Sequence, residues 1–282
     1  MYTFDDLVRS LSVETIDDLL FRGEPLKMDL KRIYGGQILG QAMAAAMRTV
    51  EDGQGGGARR PHSLHAYFLR PGDVGRDVIF DVDPIRDGRS FTTRRVVAKQ
   101  HGRAIFNASV SFQRLESGLE HGAGLPDVSA PESSPPVEED PNFPHAVIDI
   151  RTPFPERVRA PGAHPPEFGY WFRFRGEVGE DPVLHRALLA FISDHFLMST
   201  AMLPHGVSWS THAVFGASLD HAMWFHADIR VDQWLYYHME SPRAARARGL
   251  NFGQVFTRNG VLIASTAQEG LMRVGAARSA SA

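Results

Sequence analysis

Apolar and polar positions along the 282 residues fall into two series that run in the same order. From Phe4 to Leu20, Leu7, Leu11, Ile16, Leu19 and Leu20 recur at near-helical spacing and predict a short amphipathic helix, ended by Gly23 and Pro25. Gly35-Gly36 introduce I-L-G-Q-A-M-A-A-A-M-R-T-V, predicted as a helix to about Val50. Its residues are small nearly all round, the pattern of a helix packed closely by other elements. After a glycine-rich D-G-Q-G-G-G-A-R-R-P, strands are predicted at Ser63 to Arg70, Val78 to Val82, Phe91 to Lys99 and Ala104 to Gln113. Asp87-Gly88 and His101-Gly102 supply turns between them.

The pattern then breaks. Eleven of the 18 prolines lie between Pro126 and Pro166, a density that excludes a central strand or a long helix. Residues 116–166 therefore read as a linker laid extended over the surface. Beyond it the series restarts with a strand at Phe168 to Val178 and a long apolar helix from Pro182 to Leu203. A strand at Ala217 to His226 and another at Gln233 to Ser241 follow. A hairpin comes last, with arms Ala245 to Thr257 and Val261 to Arg273 around Asn259-Gly260.

The two series also match in letters. S-L-H-A-Y-F-L-R at Ser63 lines up with S-L-D-H-A-M-W-F-H at Ser218 when one residue is inserted after the leucine. G-R-A-I-F-N-A-S-V-S-F at Gly102 lines up with G-V-L-I-A-S-T-A-Q-E-G at Gly260. This predicts an internal duplication, residues 1–115 and 167–282, around the linker. One long helix per half and a run of antiparallel strands make the class α+β, each sheet wrapped around its helix.

Composition adds limits. A net charge of -3 argues against binding nucleic acid or a membrane surface by bulk electrostatics. The absence of cysteine removes disulfides, thiolate nucleophiles and cysteine-bound metal. No apolar run approaches the roughly 18 residues that span a bilayer, and neither a signal pattern nor an S-K-L terminus is present. A soluble, cytoplasmic protein is expected.

Three polar groups in apolar surroundings are candidates for chemistry. Asp194, in the middle of the predicted second long helix, is either on a narrow solvent face or a desolvated carboxylate suited to general-base work. Gln268 follows four small residues on the closing strand and offers both a donor and an acceptor. Ser218 opens the Ala217–His226 strand without the G-x-S-x-G of a strained nucleophile turn. Strict alternation sets Ser218, Asp220 and Ala222 on one face of that strand and Leu219, His221 and Met223 on the other. Asp194-His195 and Asp220-His221 have no metal-ligand spacing, and no phosphate-binding glycine loop is present. In the first half, Gln41 lies near the position of Asp194, and His65 lies in the strand copy. Arg89 and Arg94, with Arg86 and Arg95 around one hairpin, are either wet strand faces or contacts to a phosphorylated ligand.

Five segments together identify a resemblance. Y-G-G-Q-I-L-G-Q-A at Tyr34, H-S-L-H-A-Y-F-L-R-P-G-D at His62, R-D-G-R-S-F-T-T-R-R-V at Arg86, L-D-H-A-M-W-F-H at Leu219 and N-G-V-L-I-A-S-T-A-Q-E-G-L-M-R at Asn259 resemble the acyl-CoA thioesterase II family. The resemblance covers both halves in order and fails only in the linker. It implies a double hot-dog fold and hydrolysis of acyl-CoA to free acid and CoA, with no cofactor or metal. It carries a catalytic trio onto Asp194, Ser218 and Gln268, where the family pattern has threonine in place of Ser218. It also implies acyl-CoA as the partner, with His65, Arg89 and Arg94 as candidate substrate contacts, and further association into a homo-oligomer. Two alternatives remain open: an enoyl-CoA hydratase or dehydratase on the same fold, and a non-catalytic acyl-CoA-binding protein.

Overall fold

The computed structural model describes residues 3–277, apart from 27, 29, 51–57, 138–142, 144–145 and 160–161. Helix α1 (Phe4–Leu11) opens on a capping box, in which Thr3 Oγ1 accepts from the Asp6 amide and Asp6 accepts from the Thr3 amide. The helix stops sooner than its apolar spacing predicts. β-Branched Val13, Thr15 and Ile16 favour extended backbone, and Asp17-Asp18 turns the chain. The result is a hairpin, β1 (Glu14–Asp17) and β2 (Leu20–Gly23).

Helix α2 (Gly35–Arg48) is followed by β3 (Arg59–Phe68), β4 (Val78–Asp87), β5 (Phe91–Gln100) and β6 (Arg103–Arg114). After the proline-rich region come β7 (Ile148–Arg151), the short α3 (Glu156–Arg159), β8 (Glu167–Phe174) and α4 (Pro182–Ser193). A 3-10 segment (Met198–His205) precedes β9 (His212–Ser218), β10 (Asp220–Phe225), β11 (Leu235–Ala245), β12 (Arg248–Thr257) and β13 (Leu262–Ala277). The strands form one antiparallel sheet, ordered β1-β2-β4-β5-β6-β3-β10-β13-β12-β11-β8-β7, with β9 also on β13. The halves meet where the two copied strands pair, His65 opposite Ala222.

Inside the sheet α2 and α4 lie on each other. Nearly all of α2 from Gly36 to Ala46 is buried, as is α4 from His185 to Ser193. The approach is close because α2 presents glycines. A Cβ on Gly36 would overlap the Phe191 carbonyl oxygen, and one on Gly40 would lie 2.7 Å from the Ala187 carbonyl oxygen.

Three expectations change. The second long helix is not continuous to Leu203: α4 ends at Ser193, and the next turn of chain leads into the 3-10 segment. Pro182–His205 taken together is long and apolar enough to cross a bilayer, although most of it is buried within the protein. The linker is more than a surface strap. No proline interrupts 145–152, and there β7 adds an edge strand to β8, the position proline-rich chain can reach. Val137, Phe143, Val147, Ile148 and Ile150 are buried, and Leu125 and Val128 cover Trp171, Tyr236 and Phe256.

The register of the duplicated halves is also closer than the letters implied. Gly102 and Gly260, at φ 70° and 84°, turn the β5–β6 and β12–β13 hairpins. Counting from those turns, Val110 takes the place of Gln268, and Phe112 that of Gly270. The neighbouring strand slips by one residue at the same point in each half. It does so between Pro61 and Ser63 against β6, and between Ser218 and Ala222 against β13. No inserted residue is needed: Pro61 faces Phe112 as Ser218 faces Gly270. His65 therefore matches Ala222, not His221.

Candidate active site

The site is built around the end of α4. A helix leaves its last carbonyls without intrahelical donors, and here tyrosine hydroxyls from three other elements supply them. Tyr34 donates to Phe191 O (3.1 Å), Tyr237 to Ser193 O (2.8 Å) and Tyr170 to His195 O (3.3 Å). Burial pushes the pKa of all three hydroxyls up, and the charge of Asp194 adds to it, so they remain donors. Phe196, in the left-handed region at φ 61°, completes the turn out of the helix.

Asp194 is thus the C-cap of α4 and not a mid-helix residue. An aspartate inside a helix is a poor former, whereas at its end it is free to reach outward. Its Oδ1 accepts from Gln268 Nε2 at 2.6 Å and from Ser218 Oγ at 3.2 Å, and its Oδ2 accepts from the Gly36 amide at 3.1 Å. The last bond has an electrostatic rationale. The first turn of α2 has no acidic residue, and its N-cap Tyr34 makes no side-chain cap. Asp194 therefore supplies from one half the negative charge that the N-terminus of the other half's helix favours.

Ser218 reaches this carboxylate through a β-bulge. Three steps along β13, from Gly270 to Ala267, oppose four on the other side, from Ser218 to Ala222. Leu219 N–H bonds to Glu269 O, while the Glu269 amide turns to the Asp220 side chain at 2.7 Å. The extra residue resets alternation, so Ser218 and His221 both face inward although three positions separate them. Strict alternation had placed them on opposite faces.

Gln268 is fully buried, and its Oε1 has no hydrogen-bond partner among the described residues. His221, also fully buried, contacts Ser193 Oγ through Nε2 at 3.0 Å, and Ser193 Oγ donates to Ala190 O at 2.9 Å. Burial lowers the His221 pKa to about 4, against an opposing pull from Asp194. The imidazole stays neutral in the fold, whereas an unfolded histidine protonates near 6.5. The unfolded state binds the proton first, so stability present above pH 6.5 declines as pH falls toward about 4. Denaturant titrations of His221→Gln against the unmodified protein should show a shallower decline over that interval. Equal slopes would remove His221 as the cause.

Other candidates lie elsewhere. His65 is exposed on the outer face of the sheet, edge-on to Trp224 at 5.2 Å between centroids. Arg89 is exposed in the turn between β4 and β5. Arg94 is 5% exposed and engaged by the fold. It donates to Thr49 Oγ1 and Thr49 O at the end of α2, to Thr93 O and Arg86 O, and pairs with Asp87 at 2.8 Å. Arg94→Ala should lower stability by about 1–3 kcal/mol through the unpaired groups left behind, with the Michaelis constant unmoved. A raised Michaelis constant at unchanged stability would restore a substrate role.

Gln41 is not the counterpart of Asp194. It is buried in the middle of α2, donating to Ser10 O (2.7 Å) and Glu24 O (2.9 Å). The matching C-cap is Thr49. With Pro61 for Ser218 and Val110 for Gln268, the first half has no carboxylate, serine hydroxyl or amide at these three positions. The second half alone carries the trio. Residues that sequence reading missed are the Gly36 amide, the three tyrosines, Ser193 and His221. The one available signal was Gly35-Gly36, two poor helix formers at the start of a helix.

The family described as acyl-CoA thioesterase matches residues 153–271, and the acyl-CoA thioesterase N-terminal domain matches residues 24–113. Human acyl-coenzyme A thioesterase 8 is 38% identical over 286 residues, covering 94% of this chain and 88% of the human protein. Acyl-CoA thioesterase 2 of Haemophilus influenzae is 36% identical over 283 residues, covering 95% of this chain and 97% of that protein. The crystal structure of the acyl-CoA thioesterase II TesB2 from Mycobacterium marinum superimposes with a TM-score of 0.81 at 38% identity, over 96% of this chain and 99% of that one. The fold is accordingly a double hot-dog, and the chain belongs to the acyl-CoA thioesterase family of thioester hydrolases.

Proposed function

We propose that the chain hydrolyses acyl-CoA by direct attack of water, with Asp194 as general base and Ser218 and Gln268 as the groups that hold the water. The observation that carries this reading is the Gln268 side chain. Its Nε2 is fixed on Asp194 Oδ1 at 2.6 Å, while its buried Oε1 is left with a lone pair to offer. A water O–H meets that need. Ser218 Oγ, already donating to Asp194, accepts a second hydrogen bond.

The steps balance without a covalent intermediate. The water oxygen attacks the thioester carbonyl as its proton passes to Asp194. The tetrahedral adduct then collapses, expelling the CoA thiolate, which recovers the proton from Asp194. In this reading the oxyanion is met by the amide of Gly35, the first residue of α2, next in the chain to the Gly36 amide that holds Asp194 Oδ2. Ser218 as nucleophile is disfavoured because, among the described residues, its hydroxyl bonds to the carboxylate and not to an imidazole, while His221 bonds elsewhere, to Ser193.

Two measurements test this. Free thiol must be released from an acyl-CoA by the purified protein. In a single turnover quenched in acid, intact-protein mass spectrometry should find no acyl group on the protein. An acylated protein would mean an acyl-enzyme and end the water reading.

A further inference from the structure

The strip of sheet beside the trio differs between the halves. Past Gln268, the inward-facing residues of β13 are Gly270 and Met272, flanked by Gly216 on β9 and Gly249 on β12. The floor next to the reacting groups thus has almost no side chains of its own. The space above it is filled from the 3-10 segment and from further along β13. A Cβ on Gly270 would lie 2.5 Å from Met198 Sδ; one on Gly249 would overlap Ala201 Cβ and lie 2.7 Å from Met272 Cε; one on Gly216 would overlap the Trp209 ring and lie 3.1 Å from Met198 Cε. Met198, Met202 and Met272 belong to a hydrophobic cluster separate from the main core.

The first half has nothing of the kind. There the pair matching Gly249 and Gly270 is Thr92 and Phe112, both buried. Among the described residues the glycine floor occurs only beside the trio. A second, independent feature stands at its inner end, the unpartnered and fully buried Gln268 Oε1. Methionine suits a space that must be yielded to a guest: it is unbranched, apolar and has several accessible rotamers.

We propose that this strip is the acyl subsite, taking an unbranched fatty acyl chain, and that Met198 and Met272 determine its usable length by swinging off the glycine floor, with Ala201 and the Trp209 ring as its fixed walls. The inference rests on the hydrolytic reading above, because it assumes that the thioester carbonyl lies at Asp194. The chain runs outward from there between the 3-10 segment and the β9–β13–β12 surface, with its bulk limit set by the two thioethers. An apolar pocket discriminates by about 10–200-fold per methylene at best, so one methionine side chain is enough to move a length preference.

The test is the ratio of kcat/KM for hexadecanoyl-CoA to that for butanoyl-CoA. Met198→Ala should raise this ratio by about tenfold and Met198→Phe should lower it by a similar factor. A second measurement uses the unmodified protein labelled with methyl-carbon-13 methionine. The Met198 and Met272 resonances should shift on adding a non-hydrolysable long-chain acyl thioether of CoA, and not on adding CoA alone. An unmoved ratio in both variants, or resonances indifferent to the acyl thioether, would overturn the subsite while thiol release persists. Absence of thiol release at every chain length is the separate outcome that removes the hydrolytic reading itself.

Discussion

Asp194→Asn lowers turnover by about 10²–10⁴-fold, the range that a positioned general base contributes, while the protein stays folded. The substitution is close to isosteric, but the amide cannot take a proton from water at neutral pH. It also meets a hydrogen-bonding conflict. Asp194 is surrounded by donors on both sides, with Gln268 Nε2 and Ser218 Oγ at Oδ1 and the Gly36 amide at Oδ2. An asparagine must turn its NH₂ toward one of them, so about 1–3 kcal/mol of stability is lost as well. Circular dichroism and steady-state thiol release measure the two effects separately. Turnover within tenfold of the unmodified protein would show that Asp194 is not the base.

Gly36→Ala should destabilise the protein, although helix propensity alone predicts a gain of about 1 kcal/mol. The added Cβ overlaps the Phe191 carbonyl oxygen, and backbone atoms of a buried helix do not give way as a flexible side chain does. Overpacking of this kind costs about 1–3 kcal/mol, which outweighs the propensity. Separating the helices also pulls the Gly36 amide from Asp194, so turnover falls with stability and not independently of it. A variant with a higher midpoint in denaturant, or one destabilised with full turnover, would show that helix contact and site are uncoupled.

Much of the architecture was legible because duplication repeats its own punctuation. Gly102 and Gly260 mark equivalent hairpins, and the proline-rich stretch separates the halves. The glutamine on one closing strand against Val110 on the other stood out for the same reason. What misled was local pattern read too far. Leu19 and Leu20 extended a helical spacing into what is a hairpin, and letter matching paired His65 with His221 across a bulge present in both halves. The linker's buried strand was hidden because composition averages over prolines, whereas β7 needs only a short gap between them.

The sequence by itself determined that the chain is two α+β halves, that one of them offers Asp194, Ser218 and Gln268 as polar candidates, with Val110 in the other half where Gln268 stands, and that no thiol is available for the chemistry. Only the tertiary structure decided how those three meet. Ser218 turns inward because a bulge shifts its strand by one residue, and Asp194 faces the sheet because tyrosines from other elements end α4 at that point. The carboxylate is then held by the first turn of a helix from the opposite half. Each of these depends on contacts between residues far apart in the chain, and strand period or helix period, being local, carries no record of them.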